Sequence, residues 1–173
     1  MQKNPITLVL NYQQTGKYAL NVIAGSIMTQ QNLRDIPIYF SKNRDELLHD
    51  INEAKEQSRR VLVGWSFYSP QFLEIRNDLN HIKQQINDDS VIHLAGGVHA
   101  TAEPQQTLTA GFDLAAVGEG EQIICDLLTA LKLKQDVHKI RGIAYLENGK
   151  LMKNGKGETI DLNDYPPCAS RFR

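Results

Sequence analysis

Short apolar runs alternate with amphipathic stretches along most of the chain, the pattern of repeated strand–helix units that assemble a parallel sheet. Ile6-Thr7-Leu8-Val9-Leu10 is the first run, and Leu20, Ile23, Ala24, Ile27 and Met28 then recur at helical spacing on one face. Ile36-Pro37-Ile38-Tyr39-Phe40 is predicted as a second strand. Pro37 has no N–H to give to a ladder, so this strand belongs at a sheet edge. Leu47, Leu48, Ile51 and Ala54 mark the helix behind it. Val61-Leu62-Val63-Gly64-Trp65 is continuously apolar, as a central strand covered on both faces should be. Phe72, Ile75, Leu79, Ile82 and Ile86 give the next helix, and Val91-Ile92-His93-Leu94-Ala95 a fourth strand. A short helix is predicted from Thr101 to Thr109, a fifth strand over Asp113–Val117, and a fifth helix presenting Ile123, Ile124, Leu127, Leu128 and Leu131 to the core.

Five such units in a row, with the second strand at an edge, fit a flavodoxin-like doubly wound five-stranded parallel sheet of order 2-1-3-4-5. Past the last helix the pattern changes. Arg141–Leu146 and Lys150–Lys153 flank Asn148-Gly149, the favoured pair for a tight turn, so a C-terminal β-hairpin appendage is expected. The stretch 161–173, with Pro166-Pro167, has no periodicity and reads as a linker. The expected organisation is an α/β domain over 1–135, the hairpin over 136–160 and the linker over 161–173.

Composition narrows the function. The 173 residues are 41% hydrophobic and 23% charged, ordinary for a globular chain with one main core. No apolar run approaches the roughly 20 residues of a bilayer crossing, and the N-terminus lacks the pattern of a secretory signal, so no membrane partner and a cytoplasmic setting are expected. A net charge of −1 without a basic stripe argues against nucleic acid. Cys125 and Cys168 stand far apart with no C-x-x-C spacing, so neither a zinc site nor a disulfide framework follows; Cys125 sits in an apolar helical pattern and reads as a core thiol.

In open α/β sheets ligands bind beyond the carboxyl ends of the strands. The loops there read Asn11-Tyr12-Gln13-Gln14-Thr15-Gly16, Ser66-Phe67-Tyr68-Ser69-Pro70, Gly96-Gly97-Val98-His99-Ala100-Thr101 and Gly118-Glu119-Gly120-Glu121. They hold most of the glycines that interrupt the core pattern. In placement and order they resemble the cobalamin-binding domain family. Its D-x-H-x-x-G appears as Asn11-x-Gln13-x-x-Gly16, its S-x-L as Ser66-x-Tyr68 and its G-G as Gly96-Gly97. The run Ala95 to Pro104, then Gly111-Phe112-Asp113 and Val117-Gly118-Glu119-Gly120-Glu121, is similar to the cobalamin-binding halves of radical-SAM proteins.

That resemblance implies a cobalamin module whose C-terminal partner, a radical-SAM domain of the same polypeptide, holds a 4Fe-4S cluster through C-x-x-x-C-x-x-C and uses S-adenosylmethionine. This sequence has no such motif, so no catalytic residue is expected within it. By the same resemblance Gly96 and Gly97 would let the cofactor's nucleotide tail pass close to the strand end, Ser66 would hydrogen-bond it and Gly16 would turn the first loop. Gly118, Glu119 and Gly120 would shape the far wall, and His99 and Thr101 would donate hydrogen bonds. Where the family has its lower axial histidine stands Gln13, a poor cobalt ligand, and the orienting aspartate is Asn11. Any cobalamin is therefore expected to bind without a protein ligand below the cobalt, and no metal ligand is assigned. By the same resemblance the bulky Trp65, Phe67 and Tyr68 either line the tail channel by stacking or close it; the alternative is a degenerate scaffold or interaction domain without cofactor, in which Trp65 or Tyr68 fills that channel. A phosphorylation receiver is excluded by Asn11 and Ser66 where acids are needed, and Gln13-Gln14-Thr15-Gly16 is a poor flavodoxin phosphate loop.

Overall fold

The structure, a computed structural model, describes residues 3–13 and 16–155. The expected 161–173 linker and the end of the 136–160 segment lie outside them.

The described residues form a mixed α/β fold around a seven-stranded, largely parallel sheet. In chain order its elements are β1 (Thr7–Asn11), α1 (Lys17–Thr29), β2 (Ile38–Ser41), α2 (Arg44–Gln57), β3 (Val61–Ser66), α3 (Phe72–Gln85), β4 (Val91–Gly96), α4 (Val98–Ala102), α5 (Pro104–Thr109), β5 (Leu114–Ala116), α6 (Gly120–Leu133), β6 (Ile143–Glu147) and β7 (Lys150–Lys153). The strands lie in the order β2-β1-β3-β4-β5-β6-β7, the first five parallel and the last two antiparallel. β2 is thus an edge, with Pro37 just before it: the Pro37 carbonyl accepts from the Leu8 N–H, while the missing proline N–H leaves no gap in a ladder.

Helices cover both faces because side chains of successive strand residues point to opposite sides. On one face Val9, Val63, Trp65 and Ala115 pack with Leu47 and Ile51 of α2 and Ile75 and Leu79 of α3. On the other, Leu8, Leu10, Leu62, Leu94 and Ala116 meet Leu20 and Ile27 of α1 and Ile123 and Leu127 of α6. Cys125 joins this second core, and burial pushes its thiol pKa up to about 12, so it is an inert packing group.

Two expectations are corrected. The hairpin is no appendage: β6 pairs antiparallel with β5 through Ala115↔Ala144 and Ala116↔Ile143, and Ile143 and Ala144 are fully buried, so β6 and β7 extend the sheet. The hairpin turn itself uses positive φ at both Asn148 (51°) and Gly149 (76°), which the Asn-Gly pair tolerates. The single helix predicted over Thr101–Thr109 is two helices, α4 and α5. Pro104 disfavours helical backbone at the residue before it, and Glu103 accordingly has φ −126° and ψ 57°.

Candidate functional site

The carboxyl ends of β1, β3, β4 and β5 open into a cleft of about 460 Å³ on the face covered by α1 and α6. Its floor is set by strand alternation. Gly64 on β3, Leu10 on β1, Leu94 on β4 and Ala116 on β5 all point to this face, and Leu20, Ile23 and Ile124 close it from the helices. Gly64 matters as an absence of side chain. A Cβ there would meet Leu10 Cδ2 at 2.9 Å, so the bare backbone of the central strand leaves the cleft its depth.

The loops form the mouth. Gly97 has φ +92°, and a Cβ on it would lie 2.8 Å from the Phe67 carbonyl oxygen, so only glycine lets the β4 loop pass this close to the β3 loop. Ser66, Gly96, Gly97, Thr101, Gly118, Glu119 and Gly120 all line the cleft. Thr101 Oγ1 accepts a hydrogen bond from the Gly118 N–H at 3.2 Å, tying the fourth loop to the fifth. Glu119 and Glu121 stand at the start of α6, where its positive end favours carboxylates.

The structure separates the other candidates from the cleft lining. Gln13 Nε2 donates to Asp78 Oδ2 on α3 at 3.3 Å, and Arg44 lies 3.7 Å from the same carboxylate. Asn11 is buried at the end of β1, and its Oδ1 has no hydrogen-bond partner among the described residues. Gly16 packs against the end of β3, where a Cβ would come within 2.8 Å of the Ser66 carbonyl oxygen. Tyr68 is 50% exposed beyond the strand end. His99 is turned to the α3 side: its ring stacks on Phe72 at 4.3 Å, Nδ1 lies 3.0 Å from Ser69 Oγ, and Nε2 is buried with no hydrogen-bond partner among the described residues.

Trp65 borders the cleft, but its ring and His93 lie on the other side of the sheet. The Trp65 ring lies in the opposite core, edge-on to Phe112 at 5.8 Å, and its Nε1–H donates to His93 Nδ1 at 3.3 Å. Burial depresses the His93 pKa to about 4, against the opposing pull of Asp113, so the ring is a neutral acceptor. None of the chain's histidines lines the cleft. His49, Asp50 and Glu53 bring potential ligand atoms within 4.8 Å of one another on α2, but Asp50 already accepts from Ser41, and Glu53 from Tyr39 and Gln57. No helix among the described residues is long and apolar enough to cross a membrane.

The residues missed from sequence are the floor: Gly64, Leu10, Ile23, Leu94, Ala116 and Ile124. Only Gly64 carried a signal, as a lone glycine within a strand, which often marks close approach of a ligand or another backbone.

No protein-family model matches the sequence, and no curated protein matches it. Solved structures do match the fold. One is the cobalamin-dependent S-adenosylmethionine radical enzyme OxsB with aqua-cobalamin bound, at TM-score 0.74 and 18% identity over 98% of this chain and 25% of that one. Another is the radical S-adenosylmethionine methyltransferase TsrM from Kitasatospora setae, with cobalamin and a 4Fe-4S cluster bound, at TM-score 0.65 and 18% identity over 95% of this chain and 31% of that one. Its structural neighbours are cobalamin-dependent radical-SAM enzymes. The likeness at these identities is one of fold, and the chain spans about a quarter to a third of the neighbours' length.

Proposed function

We propose that this chain is the cobalamin-binding module of a radical-SAM enzyme, holding the corrin along the carboxyl edge of the sheet with its nucleotide tail in the cleft between α1 and α6. The observation that carries this reading is the open cleft beneath the Gly96-Gly97 loop. The scaffold alternative requires Trp65 or Tyr68 to fill that channel, whereas Trp65 packs on the opposite face and Tyr68 is exposed. The residues present fit the group. An apolar floor of this size suits a buried aromatic base, Gly97 allows the close backbone approach, and Ser66 and Thr101 offer hydroxyls at the mouth. The exposed Tyr68 and Val98 would offer apolar surface to a flat macrocycle.

No histidine serves as a lower ligand in this proposal. Gln13, at the family's ligand position, is neutral and already hydrogen-bonded to Asp78, and no histidine lines the cleft. Bound cobalamin supplies a cobalt centre for radical or group-transfer chemistry. The chain's own contribution is to bind and orient it. The 4Fe-4S cluster and S-adenosylmethionine belong to a radical-SAM domain that we place after the 161–173 linker, in the reducing cytoplasm where iron–sulfur chemistry is sustained.

The test is retention. The purified chain is incubated with hydroxocobalamin, passed over a desalting column and examined in the visible range, then reduced to the cobalt(II) state for electron paramagnetic resonance. Retained corrin absorbance, with no nitrogen splitting from a lower ligand, is expected. No retention at micromolar protein defeats the cofactor reading; a nitrogen triplet that also appears with cobinamide, which carries no base of its own, defeats the claim of an absent histidine ligand, and one seen with cobalamin alone defeats the placement of the tail in the cleft.

A further inference from the structure

The floor of the cleft and its mouth differ in chemistry. Leu10, Leu20, Leu94, Ala116 and Ile124 are buried and aliphatic, and they surround the side-chain-free Gly64. The backbone groups of these strands are engaged in the sheet ladders. Among the described lining residues the polar side chains Ser66, Thr101, Glu119 and Glu121 all come from the loop ends of the strands, and Ser66 is the one that follows Gly64 on the same face of β3.

We infer that the floor of this cleft selects the base at the end of the nucleotide tail, taking a flat apolar base of the benzimidazole type and rejecting a purine. The inference rests on the cobalamin reading above. A benzimidazole presents C–H and methyl edges and one free ring nitrogen, which a single hydroxyl such as that of Ser66 satisfies. Adenine adds an exocyclic amine and further ring nitrogens. Pressed against Leu10, Leu94, Ala116 and Ile124, those groups lose their hydration and gain no partner. A bridging water does not rescue them, because a buried water needs about two to four polar neighbours and Leu10, Leu94, Ala116 and Ile124 add none to the Ser66 hydroxyl. Discrimination on the order of 10- to 100-fold is expected, the range an apolar pocket reaches against an added polar group.

The experiment titrates the purified chain with three corrinoids that differ only in the tail: cobalamin, its adenine-tailed analogue, and cobinamide, which has no base. Binding is followed by the shift of the visible spectrum. Cobalamin is expected to bind tightest, with the adenine analogue at least about tenfold weaker and close to cobinamide. A Leu94→Gln variant, which places an amide on the floor, is expected to narrow the gap between the two tailed forms. Equal or tighter binding of the adenine analogue overturns the selectivity and leaves the cofactor reading standing, as does cobinamide binding as tightly as cobalamin. Failure of all three to bind overturns the cofactor reading itself. Should Leu94→Gln not fold, judged by circular dichroism, the wild-type series decides alone.

Discussion

Replacing Gly64 by leucine puts a side chain where the structure keeps the cleft open. The residue lies in β3 with no positive φ, so the backbone accepts a side chain, and the only contact of its new Cβ below 4 Å is the flexible Leu10 Cδ2 at 2.9 Å. Moving that methyl costs about 1–3 kcal/mol as overpacking. Against this stand about 1.5–3 kcal/mol for burying the new leucine and about 0.5–1 kcal/mol for removing a strand glycine. Stability is therefore expected to fall by no more than about 1 kcal/mol, a drop in Tm of no more than about 2–4 °C for a chain of this size. Cofactor binding responds differently. A base excluded from the floor forfeits a burial worth about 1.5–3 kcal/mol, or about 10- to 150-fold in Kd. Thermal melts without cofactor and equilibrium dialysis against hydroxocobalamin read the two effects separately. A variant that melts like the parent and also binds cobalamin like the parent would refute the placement of the tail in this cleft.

Two further outcomes follow from single residues. Gly97→Ala forces a side chain onto φ +92° and to within 2.8 Å of the Phe67 carbonyl; a loss of about 1–3 kcal/mol is expected in denaturant unfolding, and an unchanged midpoint would contradict the tight crossing of the β3 and β4 loops. His93 titrates near 4 in the fold against 6.5 in the unfolded chain, so below pH 6.5 the unfolded state takes up a proton that the native state refuses. Its contribution is intact above pH 6.5 and falls by about 3 kcal/mol as pH drops to 4. Melting temperature measured across that window should slope less in His93→Gln than in the parent; equal slopes would place the acid sensitivity elsewhere.

The sequence carried the scaffold because its apolar runs are short, regularly spaced and punctuated by glycine, and because Pro37 admits few positions other than an edge. It also singled out Ser66, Gly96, Gly97, Thr101, Gly118, Glu119 and Gly120, which border the cleft, since the loops at strand ends announce themselves by composition. What stayed hidden was orientation. A strand buried on both faces has no alternation of polar and apolar positions, so Val61 to Trp65 gives no sign of which side Trp65 takes, and its bulk reads as a threat to the channel until the pleat sends it to the α3 side. Tyr68 misleads for a related reason: it is spaced from Ser66 as a strand residue, but the chain has left the sheet, and Tyr68 leads a single 3-10 turn, Ser69–Gln71. The joining of the hairpin to β5 was illegible because the contact involves only two pairs of small or aliphatic residues, which look alike in a core and in an appendage.

The margins of the sheet bear on how the protein meets others. A bare strand at an edge is an invitation to further strands, from another copy or another chain. Here the last strand, Lys150-Leu151-Met152-Lys153, is short and bracketed by exposed lysines, and the opposite edge is four residues long with Pro37 before it. Both ends are poor templates for ribbon growth. Strand addition is thereby disfavoured at both described flanks, which keeps the sheet from running on into a neighbouring chain.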